Sequence, residues 1–174
     1  DMAAAGVTAF KLFTCETGCA MQGFPPLGGQ RDALRATASV RAVALVHAED
    51  QAILDANREA LIARGEHPAS AFLEWRTLDA ELSAVRSVLQ LAQQEGAATY
   101  FVHCSAPEVV DIIAAARRAG VQTWAETCPH YLMLSADDIR RRGHWATTSP
   151  PVRELPSMQE LRKRLGGAVS VIGS

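Results

Sequence analysis

Short apolar runs alternate along the chain with longer stretches in which apolar residues recur at helical spacing. Strands that are buried on both faces of a parallel sheet form continuous apolar runs, whereas a helix packed on such a sheet carries one apolar stripe. We therefore predict five strands, at residues 7–13, 43–46, 99–103, 121–126 and 168–172.

Helices are predicted between these strands. The clearest covers residues 77–95, where five apolar residues form one stripe and Gly96 marks the end. Further helices are predicted at about 31–41, 51–63, 106–119, 136–142 and 156–165, with a Gly- and Pro-rich loop over 15–30. The alternation indicates an α/β fold with a parallel sheet, although five strands are too few to close an eight-stranded barrel.

Length and charge limit the classes of protein to which the chain can belong. Its 174 residues, 48% of them hydrophobic, predict one domain over residues 1–174. A net charge of −2, with acids and bases intermixed, argues against a nucleic-acid or anionic-membrane surface, and no apolar run reaches the roughly 18 residues of a membrane span. Four cysteines without C-x-x-C spacing predict reduced thiols in a cytoplasmic protein. Because Asp1 and Ser174 lie beside apolar segments, we expect a domain truncated at both ends.

Lys11 interrupts the first predicted strand, between apolar neighbours that should be buried. An unpaired buried ammonium costs several kcal/mol unless it is neutralised or paired. One interpretation is an ion pair at the strand end with Glu49 or Glu126. The other is a neutral amine that CO2 carboxylates, so that the lysine bridges two metal ions. The second interpretation requires histidines at neighbouring strand ends.

Two histidines meet this requirement. His47 and His103 each end an apolar run, on successive predicted strands that follow the strand of Lys11. A single histidine after a strand is typical of a hydrogen-bonded core residue, but two at equivalent positions favour metal binding. Nitrogen and carboxylate-type oxygen ligands suit a divalent metal such as zinc, and catalytic sites leave one position open for water.

Ser149 lies in a loop that two prolines stiffen, at the same expected edge of the sheet. Either the loop only turns the chain, or it presents backbone groups to a ligand. No histidine and acid are spaced to make it a nucleophile. His67 and His144 are predicted at the surface, His130 is predicted to fix a loop by a hydrogen bond, and Cys104 is predicted to serve in packing.

Five ordered motifs resemble those of the cyclic amidohydrolases, the family that contains allantoinase, dihydropyrimidinase, hydantoinase and, more distantly, dihydroorotase. The motifs are Gly6-Val-x-x-Phe-Lys-Leu-Phe13, Val46-His-Ala-Glu49, Val102-His-Cys-Ser105, Glu126-Thr-Cys-Pro-His-Tyr131 and Ser149-Pro-Pro-Val-Arg153. The resemblance implies an amidohydrolase-type (β/α)8 TIM barrel, of which this chain supplies the C-terminal part, about strands four to eight. It also implies a cytoplasmic homo-oligomer, a dimer or a tetramer, that acts on a small cyclic amide or ureide.

The resemblance assigns roles to individual residues. Lys11 corresponds to a carboxylated lysine that bridges two divalent metal ions, with zinc as the expected metal, and His47 and His103 correspond to ligands of the second ion. Ser149 corresponds to a residue whose backbone hydrogen-bonds the substrate ring. A bridging hydroxide would open the ring while an aspartate takes and returns the proton. The chain contains no His-x-His pair for the first ion, and the aspartate is expected after Ser174, so we expect the chain alone to be inactive.

The segment after Lys11 bears on the substrate. Hydantoinases and dihydropyrimidinases place a tyrosine a few residues after the bridging lysine, where this chain has Thr14-Cys-Glu-Thr17. The stretch after His103 and the Cys128-Pro-His-Tyr131 segment resemble allantoinase more closely, so we expect opening of a ureide ring first. The alternatives are dihydropyrimidinase, hydantoinase or dihydroorotase activity or, in another class, a catalytically silent barrel that acts as a scaffold or oligomer partner. A half-barrel complete in itself would leave an apolar edge strand unpaired.

Overall fold

Strands and helices alternate as predicted within residues 2–17, 27–67 and 71–173, which the computed structural model describes. The strands are β1 (Ala9–Phe13), β2 (Val43–His47), β3 (Ala98–Phe101), β4 (Thr123–Thr127) and β5 (Val171–Ile172). The helices are α1 (Leu27–Ser39), α2 (Gln51–Ala63), α3 (Phe72–Trp75), α4 (Leu78–Glu95), α5 (Pro107–Arg118), α6 (Pro129–Met133), α7 (Ala136–Arg142) and α8 (Leu155–Arg162), with a 3₁₀ turn at Gly143–Ala146. None of the helices in these ranges combines the length and the apolar content that a membrane span requires.

All five strands run parallel and pair in chain order, β1-β2-β3-β4-β5. The register places Phe13 beside His47 and Val46 beside Phe101. In a doubly wound sheet the strand order reverses at a switch point, whereas in a (β/α)8 barrel each strand pairs with the next one along the chain. The carboxyl ends of the strands therefore lie along one edge, in the order that a barrel requires.

The apolar core lies between the sheet and the helices that follow its strands. Val46 and Phe101 enter it from β2 and β3, and Leu34, Val88 and Val109 enter it from α1, α4 and α5; all five are buried. Full burial of side chains of this size contributes about 1.5–3 kcal/mol each. This packing fixes the two strands that lead to His47 and His103.

Several helices begin and end where the sequence predicts. Helices α2 and α7 have the predicted bounds. Helix α4 begins after Thr77 and ends at Gly96, whose φ of 65° lies in the left-handed region that favours glycine. Helix α5 carries Pro107 in its first turn, where proline loses no helical hydrogen bond.

Other boundaries were predicted wrongly. Helix α1 begins and ends earlier than the predicted 31–41 and takes the last residues of the predicted loop; residues 18–26 of that loop lie outside the described residues. Strand β3 ends at Phe101, so His103 lies two residues beyond it. Strand β5 contains two residues rather than five, and both of them are exposed at the edge of the described sheet.

Two short helices, α3 and α6, were not predicted at all. Each is too short to show a helical period, and each is fixed by a contact that is distant in sequence. The Trp75 indole donates to the Leu54 carbonyl at 3.1 Å, and the Tyr131 hydroxyl donates to the Pro150 carbonyl at 2.7 Å. Tertiary hydrogen bonds therefore hold these segments where local sequence gives no signal.

Strand β1 is not buried on both faces, contrary to the prediction. Leu12 is buried, but Lys11 is exposed and Phe13 is half-buried. Successive side chains of a strand point to opposite faces, so Leu12 faces the helices and Lys11 faces the other side. In the described sheet, β1 pairs with β2 alone, and the face that carries Lys11 stays open.

Candidate metal site

Two imidazoles meet at the carboxyl edge of the sheet. His47 is the last residue of β2, and His103 follows β3 after Val102, whose N–H donates to the Val46 carbonyl at 3.2 Å. Nδ1 of His47 and Nε2 of His103 are 3.2 Å apart, and the ring centroids are 4.8 Å apart. The structure therefore brings together the two histidines that the sequence predicts as metal ligands.

The turn after β2 fixes the orientation of His47. Its Nε2 lies 2.9 Å from Oε2 of Glu49. An ionised carboxylate accepts hydrogen bonds and cannot donate them. The tautomer that satisfies this contact carries its proton on Nε2 and turns the lone pair of Nδ1 toward His103. The Glu49 N–H donates to the Thr14 hydroxyl at 2.9 Å, and α2 begins directly afterwards with Asp50, which accepts the Ala52 N–H at 3.0 Å.

Glu49 is buried without any exposed surface, and its charge is compensated by Arg76. The Arg76 guanidinium donates to Oε2 of Glu49, and its second terminal nitrogen donates to the Glu16 carbonyl at 3.0 Å. A buried charge is tolerated when it is paired and hydrogen-bonded. Arg76 also lies over the Trp75 ring, 4.8 Å from its centroid. Sequence reasoning missed Arg76, because neither apolar periodicity nor a motif marks the end of α3.

His103 is held in an unusual backbone conformation and is kept neutral. Its φ of 46° lies in the left-handed region, which costs a side-chain-bearing residue about 1–3 kcal/mol and is typical of functional sites. Desolvation, and then the neighbouring His47 and Lys11, lower the pKa of His103 to about 3. Its Nδ1 is buried and has no hydrogen-bond partner among the described residues. Because the neutral ring carries one proton, a proton on Nδ1 leaves the lone pair of Nε2, the atom that faces His47, available to a metal ion.

Lys11 lies near both His103 and Glu126. Its Nζ is 5.1 Å from the centroid of the Phe13 ring, and desolvation lowers its pKa to about 8, although the Glu126 carboxylate acts in the opposite direction. Glu126 accepts the Tyr100 hydroxyl at 2.8 Å. The predicted alternative of an ion pair between Lys11 and Glu49 is wrong, because Glu49 pairs with Arg76 instead.

The two facing nitrogens fit a divalent metal ion. Nitrogens bound at 2.0–2.1 Å to one tetrahedral zinc ion are about 3.3 Å apart, close to the 3.2 Å observed here. Cys15, His47 and Glu49 also offer ligand atoms within 4.8 Å of one another, and all three are buried. However, desolvation, followed by the Glu49 charge, raises the pKa of the Cys15 thiol to about 12, and Oε2 of Glu49 is already contacted by Arg76 and by His47. The two nitrogens that face each other between His47 and His103 are therefore the better candidate for a metal site.

Ser149 lies apart from the histidine pair. It is half-buried and lines a cavity of about 840 Å³, together with Arg76 and residues of α2 and α3; Lys11, His47 and His103 do not line it. The loop of Ser149 is held by the Pro150 carbonyl, which accepts the Thr148 and Tyr131 hydroxyls. The structure therefore does not place Ser149 in contact with the predicted metal ligands.

Three cysteines and His130 lie in buried or partly buried positions. Cys15, Cys104 and Cys128 are buried free thiols, in line with the prediction of reduced cysteines, whereas Cys19 lies outside the described residues. His130 packs on Tyr131 at 4.1 Å between ring centroids, and desolvation lowers its pKa. Its Nε2 is buried and has no hydrogen-bond partner among the described residues, so the hydrogen bond predicted for it is not seen at that atom.

A second buried ion pair lies behind the turn of His103. Glu81 of α4 accepts the Ser105 N–H at 3.0 Å and the Ser105 hydroxyl. The Arg153 guanidinium donates to Oε2 of Glu81 and to Oγ of Ser105, each at 2.8 Å, and to the Arg76 carbonyl at 2.9 Å. This network joins the loop that contains Ser149 to the turn that carries His103. Sequence reasoning quoted Arg153 in a motif but gave it no role.

The chain is similar over its whole length to allantoinases. It is 31% identical over 177 residues to an allantoinase of Deinococcus radiodurans and 33% identical over 179 residues to an allantoinase of Rubrobacter xylanophilus, with 100% of this chain covered. It spans only 39% and 38% of the length of these relatives. Its fold matches an L-hydantoinase (dihydropyrimidinase) from Arthrobacter aurescens with a TM-score of 0.94 at 27% identity, covering 99% of this chain and 39% of that one. No protein-family model matches the chain.

Proposed function

Because the chain belongs to the cyclic amidohydrolase family, and its sheet and helices form part of a (β/α)8 barrel, we propose that the whole protein opens a cyclic amide or ureide ring by metal-dependent hydrolysis. The observation that carries this proposal is the pair of imidazole nitrogens, Nδ1 of His47 and Nε2 of His103, which lie 3.2 Å apart at the carboxyl edge of the sheet. Active sites of such barrels lie at that edge.

We assign the metal ligands to the residues that the sequence predicts. His47 through Nδ1 and His103 through Nε2 would hold one divalent ion, and zinc suits these nitrogen ligands. When bound, a divalent metal lowers the pKa of a water molecule and polarises a ring carbonyl. The surrounding protein would keep bulk water away from the ligand side chains, and His47 is buried accordingly.

We further propose that Lys11 carries a carbamate formed with CO2 and bridges two metal ions. In this step the neutral amine nitrogen forms a bond to the carbon of CO2 and one proton is released. The pKa of Lys11, lowered to about 8, increases the neutral fraction of the amine at physiological pH and so supports the assignment. The carbamate would then supply the oxygen ligands that the histidines lack.

Allantoin is the first candidate substrate. The relatives with the similarity described above are allantoinases, and Thr14 and Cys15 occupy the segment where the resemblance places a substrate-clamping tyrosine in hydantoinases. Both residues are buried, and Thr14 hydrogen-bonds the backbone of Glu49, so neither takes the place of a tyrosine ring. We propose that the backbone beside Ser149 contacts the substrate. The proton-transferring aspartate remains a prediction for the position after Ser174, and the cytoplasmic homo-oligomer also remains a prediction.

A ring-opening assay of the full-length, metal-loaded protein tests this function. Allantoin, hydantoin, dihydrouracil and dihydroorotate are offered in parallel to the wild-type protein and to the Lys11→Ala variant. We expect turnover of allantoin that Lys11→Ala abolishes. Absence of turnover of all four substrates by folded, metal-loaded protein would contradict the proposal and favour the catalytically silent barrel.

A further inference from the structure

The ring nitrogen of His47 that faces away from His103 is held by a buried carboxylate, and that carboxylate is held in turn by a buried guanidinium. Nε2 of His47 is 2.9 Å from Oε2 of Glu49, and the same oxygen accepts a hydrogen bond from Arg76. Glu49 is 0% exposed and Arg76 is 3% exposed. These three side chains form one continuous chain of contacts that ends at the predicted metal ligand.

Arg76 is fixed by contacts on several sides, so its position does not depend on Glu49 alone. Its guanidinium donates to the Glu16 carbonyl at 3.0 Å and lies over the Trp75 ring. Its own carbonyl accepts a hydrogen bond from Arg153 at 2.9 Å. A group held in this way can impose an orientation on the carboxylate that it binds.

We propose that Glu49 and Arg76 are positioning residues for metal binding by His47. Glu49 keeps the N–H of the imidazole on Nε2, so that the lone pair of Nδ1 faces the ion, and Arg76 keeps the Glu49 carboxylate in place. This inference rests on the proposed function, since it assumes that His47 binds a metal. Carboxylates behind metal-binding histidines set the tautomer and orientation of the ring, and their loss costs about 10- to 100-fold in metal affinity.

A buried apolar residue elsewhere in the chain separates this role from general stabilisation. Leu161 of α8 is 0% exposed and belongs to the apolar core. Its side chain has no polar atom, so it takes no part in the chain of hydrogen bonds that ends at His47. Leu161→Ala should therefore lower the melting temperature without changing the tautomer of His47.

The experiment uses the full-length protein, freed of metal and then titrated with Co²⁺. Variant A is Glu49→Gln with Arg76→Met, and variant B is Leu161→Ala. Variant A removes both charges of the pair, because a single Glu49→Gln change would leave the Arg76 charge buried without a partner and could unfold the protein. Bound Co²⁺ per subunit, the dissociation constant, the visible absorption of the bound ion and the melting temperature are measured for each.

We expect variant A to bind one Co²⁺ about 10- to 100-fold more weakly than the wild type, with a changed visible spectrum. Variant B should keep the wild-type affinity and spectrum. Wild-type affinity and spectrum in variant A would overturn the inference and leave the proposed function intact. Equal loss of Co²⁺ in both variants would also overturn it, because the effect would then come from a weakened fold. A wild-type protein that binds no divalent ion would instead refute the proposed function itself.

Discussion

Removal of Arg153 is predicted to weaken the described fold by leaving a buried charge without its partner. Its guanidinium donates three hydrogen bonds, to Glu81, to Ser105 and to the carbonyl of Arg76. In Arg153→Met the Glu81 carboxylate keeps only its contacts with Ser105, while it stays buried. Leaving one partner of a buried ion pair without its counter-charge costs about 3–5 kcal/mol, so the free energy of unfolding should fall by about that amount.

The double variant Glu81→Gln with Arg153→Met shows whether the loss of stability in Arg153→Met comes from an unpaired buried charge or from lost packing. It leaves no charge unpaired, and we expect it to be more stable than Arg153→Met alone. Urea unfolding of the full-length protein, followed by circular dichroism, measures the free energies of unfolding of the double variant and of each single variant, Glu81→Gln and Arg153→Met. If the double variant loses the sum of the two single losses, then Glu81 and Arg153 do not interact energetically and the reasoning is refuted.

Three further predictions concern the fold and its dependence on pH. Phe101→Ala should lower the free energy of unfolding by about 3–5 kcal/mol because Phe101 is 1% exposed, whereas Trp145→Ala, at a residue that is 85% exposed, should have little effect in the same urea titration. Gly96→Ala should lower the free energy of unfolding by about 1–2 kcal/mol, because the φ of Gly96 is 65°. Gly167→Ala should lower it by less, because the φ of Gly167 is not positive. Equal losses in the two variants would contradict this explanation. Desolvation lowers the pKa of His130 below 6.5 in the folded state. As the pH falls through 6.5, the unfolded state binds a proton that the folded state does not, so the free energy of unfolding should decrease as the pH is lowered. Melting temperatures from pH 7.5 to 5 should therefore decline less steeply in His130→Asn, and parallel slopes would count against this assignment.

The sequence predicted the order of strands and the residues at their ends, because both depend on local pattern. Apolar runs define β2 and β3, and the polar residue that ends each run is at or just beyond the end of its strand. Parallel strands in chain order then bring His47 and His103 together, as the structure shows. A residue-by-residue pattern is sufficient for this part of the site, since each ligand belongs to its own strand.

The buried ion pairs that hold the candidate site in place could not be predicted from the sequence. Arg76 is 27 residues from Glu49 along the chain, and Glu81 is 72 residues from Arg153. Such pairs depend on how α3, α4 and the loop at 148–153 pack, which no local period encodes. The exposure of Lys11 was missed for a related reason: its surroundings depend on what covers the open face of β1, and that is not a property of the strand itself.

The chain-order pairing of the strands has a consequence for synthesis on the ribosome. The side chains that orient His47 are all present once residue 76 has been made, because Thr14, Glu49 and Arg76 precede the second histidine. The turn of His103 is completed later, when β4 arrives and Thr127 and Glu126 hydrogen-bond the backbone of Cys104. The residues that orient the first predicted ligand, His47, can thus be in place while those that complete the turn of the second, His103, are still being translated.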